Sequence, residues 1–89
     1  MATRTVAIAS AIGLHARPAS LFAQAATASG IPITIGRPGQ PPVDGRSILM
    51  VMALGVQHGE EVELASDAEG AETTLDALVA LLSRDLDAE

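Results

Sequence analysis

Between residues 3 and 10 the chain reads TRTVAIAS, with Val6 and Ile8 on one face and Thr5, Ala7 and Ala9 on the other. A period of two is that of a strand with one better-buried side. From Pro18 the period lengthens. Ala19, Phe22, Ala23 and Ala26 recur at i, i+3, i+4 and i+7, Leu21 and Ala25 widen the stripe, and Gly30 follows it. This predicts an amphipathic helix from about Ala16 to near Gly30. Ile31, Ile33 and Ile35 then alternate with Pro32 and Thr34, a second strand with its proline near the start. The turn formers GRPGQPPVDG (36–45) read as a hairpin loop between short strands, and the PxxP spacing of Pro38 and Pro41 is too common to mark an SH3-type ligand. The dense apolar run SILMVMALG (47–55) is of helix length, opened by Ser47 as N-cap and closed by Gly55, and predicts a short helix with an exposed apolar end. In EEVELAS (60–66), Val62 and Leu64 alternate with Glu61 and Glu63, a half-exposed strand. Ser66 and Glu69 have the spacing of a capping box, and Leu75, Leu78, Val79, Leu82 and Leu86 repeat at helical spacing, so a long amphipathic helix ends the chain. The order β-α-β-β-α-β-α predicts an α+β open-faced sandwich in which three helices cover one face of a four-stranded antiparallel sheet.

Composition narrows what such a domain can do. Eighty-nine residues suffice for a single domain, 1–89, with one modest core. Phe22 is the only aromatic residue, so there is no stacking platform for bases or sugars, and nucleic acid is not an expected partner. Cysteine is absent, which removes disulfides, thiolate zinc sites and thiol nucleophiles. No apolar run approaches membrane-spanning length and the N-terminus lacks a continuous signal-peptide core, so the expectation is a cytoplasmic protein without membrane insertion, and the small size points to a monomer. The net charge of -6 is unevenly spread. Residues 1–59 hold four arginines against Asp44 alone, a net +3, whereas residues 60–89 hold ten carboxylates against Arg84, a net -9. A polarised molecule follows, with a locally positive half offered to an anionic ligand or acidic partner.

That half contains GLHARPAS, residues 13–20. Pro18 suits the first turn of a helix, which starts the helix at about Ala16 and puts His15 at or beside its N-cap. The unpaired N–H groups there, including the amides of Ala16 and Arg17, and the positive end of the helix dipole form an anion site, and the Arg17 guanidinium matches phosphate oxygens. Both disfavour a second positive charge on the imidazole and leave one ring nitrogen as a nucleophile. Gly13 allows the sharp turn into the helix, and Leu14 can anchor it inward. The residues alone leave two readings of His15 open, an ordinary surface residue at a helix start and an acceptor of a phosphoryl group. His58, in QHGEE, has no second ligand at useful spacing and reads as a loop residue, so no metal or other cofactor is expected.

GLHARPAS is similar to the active-site segment of the HPr family, the histidine-containing phosphocarriers of the bacterial phosphoenolpyruvate:sugar phosphotransferase system. The likeness extends through VDGRSILMVMALGV, which resembles that family's serine-containing short helix, and the acidic EEVELASDAEGAE, so it spans nearly the whole chain. It implies that His15 takes a phosphoryl group on Nδ1 from phosphorylated Enzyme I and passes it to IIA domains of sugar permeases. It further implies that Arg17 steadies the group beside the amides of Ala16 and Arg17, and that the protein is a carrier, not an enzyme with a substrate of its own. Ile48 and Leu49 match the family's apolar docking patch and are expected to be partly exposed, with Val51, Met52 and Leu54 inside. Ser47 matches the serine that an ATP-dependent kinase phosphorylates in some members; a serine is also simply a good N-cap. Gly45 and Met50 depart from the residues commoner around that serine, and Ile12 stands where many members have a small polar residue, which bears on the rim of the site.

A second resemblance belongs to another class. DGRSIL is similar to the Asp-Ser-Leu segment of acyl carrier proteins, small acidic helical proteins in which the matching Ser47 would hold a phosphopantetheine arm. Against it, Gly45 and Arg46 separate Asp44 from Ser47, and at least three segments have the period of strands.

Overall fold

The computed structural model describes residues 1–84. Its elements follow the predicted order: β1 (Ala2–Ala7), α1 (Ala16–Ala28), β2 (Thr34–Gly36), β3 (Val43–Asp44), α2 (Ile48–Ala53), β4 (Glu61–Ser66) and α3 (Ala71–Leu82). The strands form one sheet in the order β1-β4-β2-β3 with every pairing antiparallel. β1 and β4 pair over their full lengths, Val6 opposite Val62, which aligns the inward side chains of both strands. One face of this sheet is buried by helices and the other is open, so Glu61 and Glu63 are exposed while Val62 and Leu64 are buried. The sheet excludes the all-helical architecture that a phosphopantetheine carrier would have.

Helix α3 buries Ala71, Leu75, Leu78 and Leu82. It is pinned to β1 by the Arg4–Asp76 ion pair at 2.7 Å, and the Leu82 carbonyl accepts the Ala9 N–H. Helix α1 buries Pro18, Ala19, Phe22, Ala23 and Ala26, the stripe seen in the sequence. Phe22 reaches from it to the end of the β2–β3 hairpin, and there Gly45 finds its reason. A Cβ at that position would stand 3.0 Å from Phe22 Cε2 and 3.1 Å from the Ile33 carbonyl. The single aromatic ring is thus accommodated by a missing side chain.

Several boundaries differ from the sequence reading. Ser66 and Glu69 do not cap α3: Ser66 ends β4, its Oγ accepts the Ala68 N–H, and α3 starts only after Gly70, whose left-handed φ of 77° serves as N-cap. The Ala68 N–H, in the turn after β4, takes the serine oxygen four residues before the N-cap of α3. β1 stops at Ala7; the Ile8 N–H still donates to the Glu60 carbonyl, and the chain then leaves the sheet in the turn closed by the Gly13 N–H on the Ser10 carbonyl. β2 begins at Thr34, past Pro32, which has no N–H to give a ladder. Met52 and Leu54, expected inside, are half-buried against the core. Leu86 lies outside the described residues.

Candidate functional site

The chain enters the site through Gly13, with φ of 80°, at a point where a Cβ would stand 2.5 Å from the Val56 carbonyl oxygen. Both the left-handed backbone and the close approach demand glycine. Leu14 follows, 1% exposed, its N–H donating to that carbonyl at 3.0 Å. With Leu14 anchored inward, His15 is turned outward. It is the N-cap of α1 in extended conformation, and its ring makes no capping hydrogen bond. The imidazole is exposed and is not consumed in holding the helix.

Ala16 and Arg17, also exposed, form the first turn, which contains no acidic side chain to occupy the positive helix end. Ala16 holds φ of 46°, the only left-handed non-glycine residue among those described. Such a backbone costs on the order of 1–3 kcal/mol and persists because Leu14 on one side and Pro18 on the other are both buried. Sequence reasoning missed it, since alanine carries no signal for left-handed backbone.

Ser47 is the N-cap of α2, its Oγ accepting the Met50 N–H at 3.3 Å. Beyond it Ile48, Met50 and Leu49 are 38%, 46% and 76% exposed, while Val51 is fully buried. A six-residue helix with one buried position is mostly surface. It lies against α1, and the two helices share a shallow groove of about 380 Å³ lined by Ser20, Gln24, Thr27, Arg46 and Ile48. The elements carrying His15, Arg17, Ser47, Ile48 and Leu49 are therefore neighbours in space, and exposed Ile12, at 53%, adds an apolar side chain in the loop before His15.

The charge polarity inferred from the sequence is moderated by pairing. Arg4 and Arg37 reach carboxylates of the acidic segment, Asp76 and Glu60, and Arg46 is held by Asp44. The hydrogen-bonded Arg46 side chain and backbone N–H hold the Asp44 carboxyl below its ordinary value. Glu60 is lowered by its hydrogen bonds from Arg37 first and then from the Gln57 N–H. A carboxylate lowered on folding adds stability above its unfolded value, and loses it as the pH falls through the folded value. In a carboxyl NMR titration, Glu60 is expected to protonate below the ordinary glutamate range and to move up toward it in Arg37→Met; equal midpoints in both proteins would refute the pairing. His58, read as a plain loop residue, has Nδ1 3.1 Å from the Ser10 carbonyl oxygen. No group of three potential metal ligands occurs among the described residues.

Residues 2–84 match the family model described as PTS HPr component phosphorylation site. The chain is 53% identical over 87 residues to the phosphocarrier protein HPr of Streptomyces coelicolor, covering 98% of this chain and 94% of that one. It is 42% identical over 81 residues to the HPr of Haloferax volcanii, covering 90% and 91% respectively. Its fold is similar to the crystal structure of HPr-C-His from Thermoanaerobacter tengcongensis, with a TM-score of 0.84 and 36% identity over 92% of this chain and 91% of that one.

Proposed function

The chain belongs to the HPr family of phosphocarrier proteins, and on that premise we propose that it accepts a phosphoryl group from phosphorylated Enzyme I on Nδ1 of His15 and passes it to IIA domains of sugar permeases. The observation that supports this reading is the exposed His15 ring at the N-terminus of α1, left uncommitted by capping and followed at once by Arg17. With the ring proton on Nε2, the Nδ1 lone pair attacks phosphorus as the donor's bond to it breaks; in the second transfer a nucleophile of the acceptor domain bonds to phosphorus as the Nδ1–P bond breaks and its electron pair returns to Nδ1. The positive helix end and Arg17 offset the charge of the bound group. They do so without a metal clamp, which suits a carrier that must release what it binds.

Both transfers join two proteins, so the acceptor must stand on a docking surface. Ile48 and Leu49, beside the groove between α1 and α2, are assigned that role; exposed apolar side chains grouped together favour a protein partner. A serine kinase is proposed as a further partner acting on Ser47. A phosphate there is compatible with the helix N-terminus, and its charge next to Ile48 and Leu49 would weaken docking of an acidic partner.

The test is intact-mass analysis after incubation with phosphoenolpyruvate, Mg²⁺ and a matched, active Enzyme I. One acid-labile, base-stable phosphoryl group is expected. An acid-stable adduct would move the chemistry to a hydroxyl such as Ser47, and no adduct at all would end the relay reading.

A further inference from the structure

Arg37 and Glu60 touch no part of the site just described, yet they close one end of the turn on which the His15 loop rests. From Val56 to Glu60 that turn meets the loop repeatedly. The Val56 carbonyl accepts the Leu14 N–H at 3.0 Å and blocks any side chain at Gly13. Gly59 N–H donates to the Ile8 carbonyl at 2.8 Å, and the Glu60 carbonyl accepts the Ile8 N–H at 2.9 Å. His58 Nδ1 lies 3.1 Å from the Ser10 carbonyl oxygen, and because a carbonyl only accepts, this nitrogen carries the proton. Residues 8–14 are thus laid along one side of the turn.

The other side is held by one guanidinium. Arg37 donates from Nη1 to Glu60 Oε2 at 2.9 Å and from Nη2 to Oε1 at 3.2 Å, a bidentate grip. Nη2 also donates to the Gly55 carbonyl at 2.9 Å and Nε to that of Leu54 at 3.4 Å, carbonyls left over where α2 ends. Glu60 Oε1 in turn accepts the Gln57 N–H at 2.7 Å. An ion pair this exposed adds little to global stability, whereas a planar fork bonded at four points fixes geometry.

We infer that Arg37 and Glu60 are positioning residues for the transfer: they set the Leu54–Glu60 turn, which sets the backbone path through Gly13 and Leu14 into His15. This rests on the reading of His15 as phosphoryl acceptor. Arg37→Met, Glu60→Gln and Arg37→Lys, assayed well below their unfolding temperatures, test it. The first two are expected to be phosphorylated by Enzyme I with kcat/KM lowered about tenfold, as a displaced reacting group would produce. Their Gly13, Leu14 and His15 amide resonances should shift, and Arg37→Lys should restore both readouts in part. A purely structural pair would lower the melting temperature and leave rate and resonances alone. Folded variants with a rate within about twofold of wild type and unmoved resonances would overturn the inference. Should the wild-type protein accept no phosphoryl group, the carrier reading falls, and the resonances alone still decide whether the turn sets the loop.

Discussion

His15→Ala is expected to take up no phosphoryl group from Enzyme I while folding as stably as the wild type. The two halves of that expectation have separate causes. Folding is spared because His15 is exposed, has an ordinary extended backbone and gives no capping bond, so its removal should change stability by no more than about 0.5 kcal/mol, the range of plain surface substitutions. Uptake is lost altogether because His58, the only other imidazole in the sequence, stands outside α1 and has its Nδ1 engaged 3.1 Å from the Ser10 carbonyl oxygen. Anion binding at the start of α1 should survive, since the helix end and Arg17 remain, but binding without a nucleophile transfers nothing. Intact mass and a urea unfolding curve on the same sample check both halves. A phosphoryl group retained in the variant would remove His15 from its role, and an unfolding midpoint well below wild type would show that the ring holds structure after all.

How far the site could be read in advance depended on how locally each feature is encoded. The helix start at Ala16 was legible because Pro18 and the apolar stripe through Phe22 are neighbours in sequence, and the N-cap position of His15 followed. Ser47 as a cap was legible for the same reason. The left-handed Ala16 was not: its backbone is imposed from both sides, by Leu14 seated under Val56 and by Pro18 in the core, and neither constraint is written in the alanine. Nor was the Arg37 clamp, since residues 37 and 60 lie in segments that the sheet alone brings together. The Ser66–Glu69 pattern misled because the same residues that cap a helix also close a turn, and the choice between them was made by β4 extending to Ser66. Gly45 looked like a departure in sequence and proves to be a packing requirement of a ring 23 positions earlier.

That ring is the basis for the largest expected effect on stability. Phe22 is fully buried, and its companions on the inner face of α1 are Pro18 and three alanines, Ala19, Ala23 and Ala26. Small side chains bring a helix close but bury little apolar surface, so Phe22 supplies most of the bulk with which α1 fills the core. Phe22→Ala should therefore cost about 3–5 kcal/mol through lost transfer energy and the cavity left behind. For a domain of this length, whose whole stability is about 4–13 kcal/mol at roughly 0.05–0.15 kcal/mol per residue, that is a large fraction. The melting temperature should fall by about 12–40 °C at roughly 4–8 °C per kcal/mol. Of the two close contacts that a Cβ at Gly45 would make, Phe22→Leu removes the one to the ring at 3.0 Å and leaves the one to the Ile33 carbonyl at 3.1 Å, so the methyl of Gly45→Ala should be better accepted beside leucine than beside phenylalanine. The double variant is then expected to be more stable than the sum of the two single changes predicts. Urea unfolding of the wild type, Phe22→Ala and the three variants of the cycle measures both quantities. A loss below about 1 kcal/mol in Phe22→Ala would mean that neighbouring side chains collapse into the cavity, and strict additivity in the cycle would separate Gly45 from the ring. Since His15 is the N-cap of α1, loosening the helix's seat should also slow phosphoryl uptake at temperatures where the variant is still folded, linking the one aromatic residue of the core to the exposed imidazole at the helix start.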